Sequence, residues 1–243
     1  MSPRIADIWV YLSASPLLGL TLTLVAYQTA YWIYQRAGFN PLLNPVLLAI
    51  AMLVTALYVT GTPYATYFDG AQFVHFLLGP ATVALAVPLY LQFDRLKKLA
   101  LPLAGALLAG SVTAILSAVG IAWALGAADS TLLSVAPKSV TAPIAMGIAE
   151  KIGGIPSLTA VLVIMTGVSG AMMAKYVLDA LRITDHGVRG FAVGVAAHGI
   201  GTARAFQVSE QAGAFAGLGM GLNGLLTALL MPLLLVLWRL GEH

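Results

Sequence analysis

Cysteine is absent from all 243 residues, which excludes a disulfide framework, a thiolate metal site and a cysteine nucleophile. Charge is scarce too. Twelve Lys+Arg and nine Asp+Glu amount to 9% of the chain, against about a quarter in an ordinary soluble domain. That composition cannot cover a water-facing surface. An apolar content of 60% and a mean hydropathy of +0.92 also exclude intrinsic disorder. No Walker loop, HExxH, GxSxG or acid pair at catalytic spacing is present, so enzyme activity and a cofactor have no support. The net charge of +3 comes from cations scattered between apolar blocks. They form no basic stripe, and no nucleic-acid partner is expected. The reading is an all-α polytopic protein whose solvent is the lipid bilayer.

What the chain has is apolar sequence in blocks of about 20 residues, the length of a spanning helix. Residues 9–34, 45–60, 73–93, 99–125, 158–181 and 217–240 read as spans. The apolar core ahead of Ser13-Ala14-Ser15 is too short for a signal peptide, so the first span is expected to be retained. Two further stretches are hydrophobic but interrupted, giving about eight segments. Pro137, Lys138, Pro143, Gly147 and Glu150-Lys151 break 132–154. His198, Gly199, Gly201, Arg204 and Gln207 break 190–210. Gly79-Pro80 and Pro88 also interrupt the third span. The whole chain is read as one membrane domain, 1–68 holding the N-terminal spans and 69–243 the motif-bearing region.

Charge sets the expected topology. Asp94, Arg95, Lys97 and Lys98 form the densest cluster, which the positive-inside rule places in the cytoplasm. Arg182 and Arg189 argue the same for their own turn. Both turns can share a side only if 132–154 re-enters or crosses an even number of times. Irregular backbone at membrane depth survives only where protein or a watery cavity surrounds it, and paired interruptions point to a transporter site. A shift of sixty residues places Lys138 on His198, Ala145 on Ala205, Glu150 on Glu210 and Gly153 on Gly213. A shift of fifty-seven superposes Pro80 on Pro137 and Val83 on Val140. Both superpose one helix break on another, as an internal repeat would.

The run Pro137-Lys138-Ser139-Val140-Thr141-Ala142-Pro143 denies the backbone two N–H donors and interrupts its helix. Broken ends expose N–H groups, and a helix N-terminus favours anions. With the Ser139 and Thr141 hydroxyls and the Lys138 cation, this run can hold a small carboxylate. The alternative is a kinked helix whose hydroxyls bond their own carbonyls while Lys138 snorkels to the interface. In Ala197-His198-Gly199-Ile200-Gly201-Thr202-Ala203-Arg204, two glycines permit close approach and positive φ. His198 and Arg204 add charge there. A charged side chain in hydrocarbon is costly, so Arg204 should face protein, water or a ligand. It either grips a carboxylate ligand or pairs with Glu210 or Glu150. Gly213, Gly217, Gly219, Gly221 and Gly224 read as helix-packing glycines.

These residues resemble a known family. Phe76-Leu77-Leu78-Gly79-Pro80-Ala81-Thr82-Val83-Ala84-Leu85-Ala86-Val87-Pro88-Leu89-Tyr90 is similar to the signature of the LrgB/CidB family. Further matches are Pro137 to Ala145, Gly153-Gly154-Ile155-Pro156-Ser157 and His198 to Ala205, in the family's order and spacing. The first two spans match only in hydrophobic character. Where the family commonly has lysine near the end of the last motif, this chain has Arg204, which keeps the charge and changes its geometry. The resemblance implies a multi-pass protein of the bacterial inner membrane, encoded beside a small holin-like partner of the LrgA/CidA type. It also implies inverted repeats with crossed broken helices, as in cation/proton antiporter-like and bile-acid-symporter-like folds. A homodimer is the expectation by analogy with those folds.

Two functions fit. One is a transporter or facilitator of small monocarboxylates of the pyruvate, glycolate and glycerate class, which family relatives move. Ser139, Thr141, Gly199, Gly201 and Thr202 would then supply hydrogen bonds, and Lys138, His198 and Arg204 would balance charge. Glu150 or Glu210 would carry a coupling proton. The other is an antiholin-like regulator of murein hydrolase activity and lysis that transports nothing.

Overall fold

The computed structural model describes residues 16–84 and 86–241, and every regular element among them is helical. They fall into two compact units, Met1–Ala84 and Leu85–His243. Residues 9–15 of the first predicted span lie outside the described residues.

In the first unit α1 (Pro16–Arg36), α2 (Pro45–Thr60) and α3 (Tyr64–Phe76) pack through small side chains. Ala26 and Ala30 of α1 meet Ala49 of α2. A Cβ at Gly19 would lie 2.4 Å from the Tyr67 carbonyl oxygen, so glycine sets the approach of α1 to α3. Asn44 caps α2 by accepting from the Val46 and Leu47 N–H groups, with Pro45 at its start. Helix α3 begins at Tyr64, ahead of the predicted start at 73. Tyr64 stacks with Phe68 and meets Tyr67, ring pairs at helical spacing that a hydropathy window does not register. The chain then breaks at Leu77. α4 (Leu78–Ala84) carries Gly79 and Pro80 in its first turn, where a missing N–H is tolerated. The third predicted span is therefore a set of short helices.

The second unit holds α5 (Ala86–Leu91), α6 (Phe93–Lys98), α7 (Ala100–Ala124), α8 (Asp129–Val135), α9 (Ala142–Ile152), α10 (Pro156–Ala180), α11 (His186–Val208) and α12 (Glu210–Gly241). Pro88 again sits in a first turn, that of α5. Among the described residues three helices are long and apolar enough to cross a membrane: Ala100–Ala124, Pro156–Ala180 and Glu210–Leu234. The last starts before the predicted 217. Ser209 Oγ accepts from the Ala212 N–H and Glu210 occupies the first turn, so polar capping residues extend the helix beyond its apolar run. α7 buries only Ser111 and Ile115, leaving Leu101, Leu108, Leu116, Ile121 and Trp123 exposed for lipid.

The stretch 132–154 turns back on itself. α8 ends at Val135, residues 136–139 form turns, Thr141 is extended, and α9 begins at Ala142 with Pro143 in its first turn. Ile144 meets Gly224 midway along α12, whereas Ile148 and Ile152 cluster with Met231 and Ile115. α9 therefore runs outward from mid-depth. Ser134 anchors the other arm at the start of α10. Its Oγ accepts from the Ile155 N–H at 2.8 Å, and its carbonyl accepts from the Thr159 hydroxyl at 3.0 Å. The result is a re-entrant hairpin with Pro137–Thr141 at its tip.

The stretch 190–210 forms a second hairpin. Helical geometry fails at Ala197 (φ −125°, ψ 17°) and His198 (φ 40°, ψ −135°), dividing α11 into α11a (186–196) and α11b (199–208). α11a lies along α12, with Gly190 against Ala212 and Gly194 against Ala216. α11b doubles back, with Gly201 against Val193 and Ala197, and Phe206 against Gly213. A straight helix would hold Arg189 and Val208 about 28 Å apart, yet both line one cavity of about 290 Å³. The positive φ falls on His198, not on Gly199 or Gly201. Gly201 serves close approach instead.

Charged turns mark one end of this unit. Arg95 pairs with Asp185 at 2.6 Å, while Arg189 and Lys175 hold Asp179 at 2.6 and 2.8 Å. Asp185 also caps α11; the Val188 N–H first, and then Arg95, hold its carboxyl below the usual range. α7 leaves this basic end and α10 returns to it. The segment between them re-enters, as two basic turns on one side require.

Candidate functional site

The two hairpins enter from opposite ends and their tips meet midway along α7, α10 and α12. Asn223 joins them. Its Nδ2 donates to the Ser139 carbonyl at 3.1 Å, from the first tip, and to the Val195 carbonyl at 3.0 Å, from the end of α11a. Its Oδ1 accepts from the Ser111 hydroxyl of α7 and from Thr227. Both donors and both acceptor positions of this buried amide are thus used. The break in α11 explains the geometry. Val195 would otherwise accept from the next turn of its own helix, and the interruption leaves that carbonyl to Asn223.

Around this hub lie most of the predicted residues. Lys138 Nζ donates to Ser139 Oγ at 3.1 Å, and Ser139 is buried. His198 is buried, with Nε2 2.9 Å from the Val163 carbonyl of α10. Val163 also clusters with Val140 of the first tip, which sets the His198 ring beside that tip. Gly167 makes room for that ring, since a Cβ there would sit 2.6 Å from His198 Cε1. The Thr202 hydroxyl donates to the His198 carbonyl at 2.8 Å, one turn back along its own helix. Thr141 holds the N-cap position of α9 without a side-chain cap bond. The N-termini of α9 and α11b, each carrying partial positive charge, both begin at the tips. Gly199 opens α11b beside Met220.

Three predicted residues lie elsewhere. Arg204 is six residues along α11b from His198, about 9 Å by helical rise. It lines the cavity with Arg189 and Asp179 and donates to Gln207 at 3.2 Å. Glu150 and Glu210 are exposed, at the outer end of α9 and the first residue of α12. The packing glycines divide as well: Gly213, Gly219 and Gly224 meet neighbours, whereas a Cβ at Gly221 would meet open space. No sequence motif points to Asn223, Ser111 or Gly167. The signal for Asn223 was an amide in the middle of an apolar span, masked by the glycines around it.

The strained backbone at His198 makes an unusual stability order. A non-glycine residue at such angles costs of order 1–3 kcal/mol, which glycine avoids. His198→Gly and His198→Ala both lose the bond to Val163. The glycine variant is expected to melt higher than the alanine variant, the reverse of the order in a regular helix. Thermal melts of the two purified variants check this.

Opposed re-entrant hairpins meeting at a polar cluster between spanning helices define a multi-pass helical membrane protein. The comparisons give the family. The chain belongs to the LrgB-like family, whose family model matches residues 23–237. It is 38% identical over 219 residues to the "Uncharacterized protein YwbG" of Bacillus subtilis, covering 90% of this chain and 97% of that one. It is 36% identical over 221 residues to YxaC of the same organism, covering 91% and 96%. The "Antiholin-like protein LrgB" of Bacillus cereus is 29% identical over 219 residues, covering 90% and 95%. No solved structure matches the chain.

Proposed function

We propose that the protein carries small monocarboxylates of the pyruvate, glycolate and glycerate class across the bacterial inner membrane, with its basic end in the cytoplasm. One observation carries this reading: two half-helix N-termini begin where the opposed hairpin tips meet, with Lys138 on one tip and His198 on the other. A carboxylate between them gains the dipole ends of α9 and α11b, the Lys138 charge and the hydroxyls of Ser139 and Thr141. Thr202 and Gly199 would line the α11b side, while Gly201 lets that half-helix pack closely against α11a. The sixty-residue shift that superposes Lys138 on His198 supports an inverted repeat, each hairpin being one half's site element. Glu150 and Glu210 occupy matching outer ends of the hairpins and would exchange a coupling proton with water.

The name of the Bacillus cereus relative favours a second reading, an antiholin-like regulator acting through a small LrgA/CidA-type partner. Uptake of labelled pyruvate and glycolate into proteoliposomes separates the two. Saturable uptake by the protein, alone or with the holin-like partner, supports transport. Uptake equal to that of empty vesicles in both preparations leaves the regulator.

A further inference from the structure

We infer that the groove walled by α5, α6, α7 and α12 holds one acyl chain of an anionic phospholipid, whose headgroup is met by Lys97 and Lys98 at the basic end. This goes beyond the transport reading and does not depend on it. The groove encloses about 640 Å³. Ala100 and Ala104 of α7 form its shallow wall, and Leu103, Leu107 and Leu218 its floor. Among the described residues that line it, Lys97 alone is charged.

Length selects a lipid tail. Leu107 lies one turn before Ser111, which meets Asn223 midway along the spans. Ten residues of helix separate Lys97 from Leu107, a rise of about 15 Å. That is half of a hydrocarbon core about 30 Å thick, so the groove is one leaflet deep. A spanning helix of a second copy would need about twice that length. Charge selects the headgroup. Arg95 is taken by Asp185 at 2.6 Å, whereas among the described residues no carboxylate lies within ion-pair reach of Lys97 or Lys98. Asp94, on the same short helix, offsets only part of their charge. The Lys97 ammonium lies 4.3 Å from the centre of the Phe93 ring, and both residues line the groove, which keeps the cation at its mouth. A net negative headgroup gains from both lysines, while a zwitterionic one brings a cation of its own. Packing gives the lipid its use. Leu103, Leu107 and Leu218 also press on buried Phe191, Val195 and Phe215, the first two of which belong to α11a. A tail in the groove fills the open side of these leucines and so backs the second hairpin.

Native mass spectrometry of the purified full chain, titrated in detergent with phosphatidylglycerol or phosphatidylcholine, tests the assignment. The parent should retain one phosphatidylglycerol about tenfold or more tightly than phosphatidylcholine. Lys97→Gln with Lys98→Gln should bring the two lipids within about twofold of each other. Lys151→Gln, exposed at the opposite end, should leave the preference intact. Ala104→Leu, which fills the groove from an exposed position without changing charge, should weaken retention of both lipids about tenfold, and Ala100→Leu should act alike. Equal retention of the two lipids by the parent overturns the inference, as does a preference that survives loss of both lysines. Lipid retention unchanged in both leucine variants overturns it too, by placing the lipid elsewhere. A dimer that Ala104→Leu disrupts, without a retained lipid, would assign the groove to a second copy of the chain instead.

Discussion

Gly194→Ala should cripple assembly of the second hairpin, while Gly221→Ala on the adjoining span should be harmless. A Cβ at Gly194 would lie 2.0 Å from the Ala216 carbonyl oxygen and 2.7 Å from its carbonyl carbon. Both atoms are backbone of α12, so no side chain can rotate away. Gly190 meets Ala212 in the same manner one turn earlier, which makes the contact a continuous seam of backbone against backbone. Separating the helices forfeits packing along the seam, and overpacking of this kind costs about 3 kcal/mol at the upper end of its usual range. At Gly221 a Cβ meets open space, and alanine there gains up to about 1 kcal/mol of helix propensity. Thermal unfolding in detergent should therefore drop steeply for the first variant and hold or rise for the second. Equal melting temperatures would contradict the packing.

Asn223→Leu is expected to disable the site more than any other single change at mid-depth. Leucine keeps the branching at Cγ and removes all four hydrogen bonds. The Ser139 and Val195 carbonyls and the Ser111 and Thr227 hydroxyls then lose a partner at once. Each buried polar group left unpaired costs about 1–3 kcal/mol, though in membranes some find substitutes. The larger effect is geometric. Asn223 bonds the backbones of both hairpins through one side chain, so the tips lose their common anchor and carboxylate uptake should vanish. Asn223→Asp keeps the acceptors and loses the donors, and should fail similarly. Thr227→Val removes only a 3.4 Å contact and should cost under about 1 kcal/mol. Retained uptake in Asn223→Leu would show that the tips do not depend on the amide.

Composition and periodicity made the membrane character and both interruptions legible, because prolines, glycines and charges inside apolar runs are costly and local. The hairpin form was legible only through charge: Arg95 and Arg182 could share a side only if 132–154 turned back. The reach of the hairpins was not. Whether a broken helix continues or reverses depends on the dihedrals at Ala197 and His198, and histidine carries no sequence signal for positive φ. Arg204 is close to His198 in sequence, but a half-helix of ordinary rise carries it toward the basic end. Asn223 escaped notice for the opposite reason. Its partners, Ser111, Ser139 and Val195, are far away in the chain and only the fold gathers them. The start of α12 followed from a cap at Ser209, which hydropathy does not count.

The most direct test of the central claim is exchange of labelled glycolate by purified protein in neutral-lipid vesicles, comparing the parent chain with Lys138→Gln and Lys138→Arg. Lys138 lies at the first tip with its ammonium beside Ser139, whose carbonyl is tied to the second hairpin through Asn223, so its charge is the one the anion should meet there. Lys138→Gln should fold, with a melting temperature close to the parent's, and lose exchange by about a hundredfold, the loss of a strong charge-assisted bond. Lys138→Arg should recover part of it. Exchange by Lys138→Gln at the parent's rate would contradict carboxylate binding at the hairpin tips.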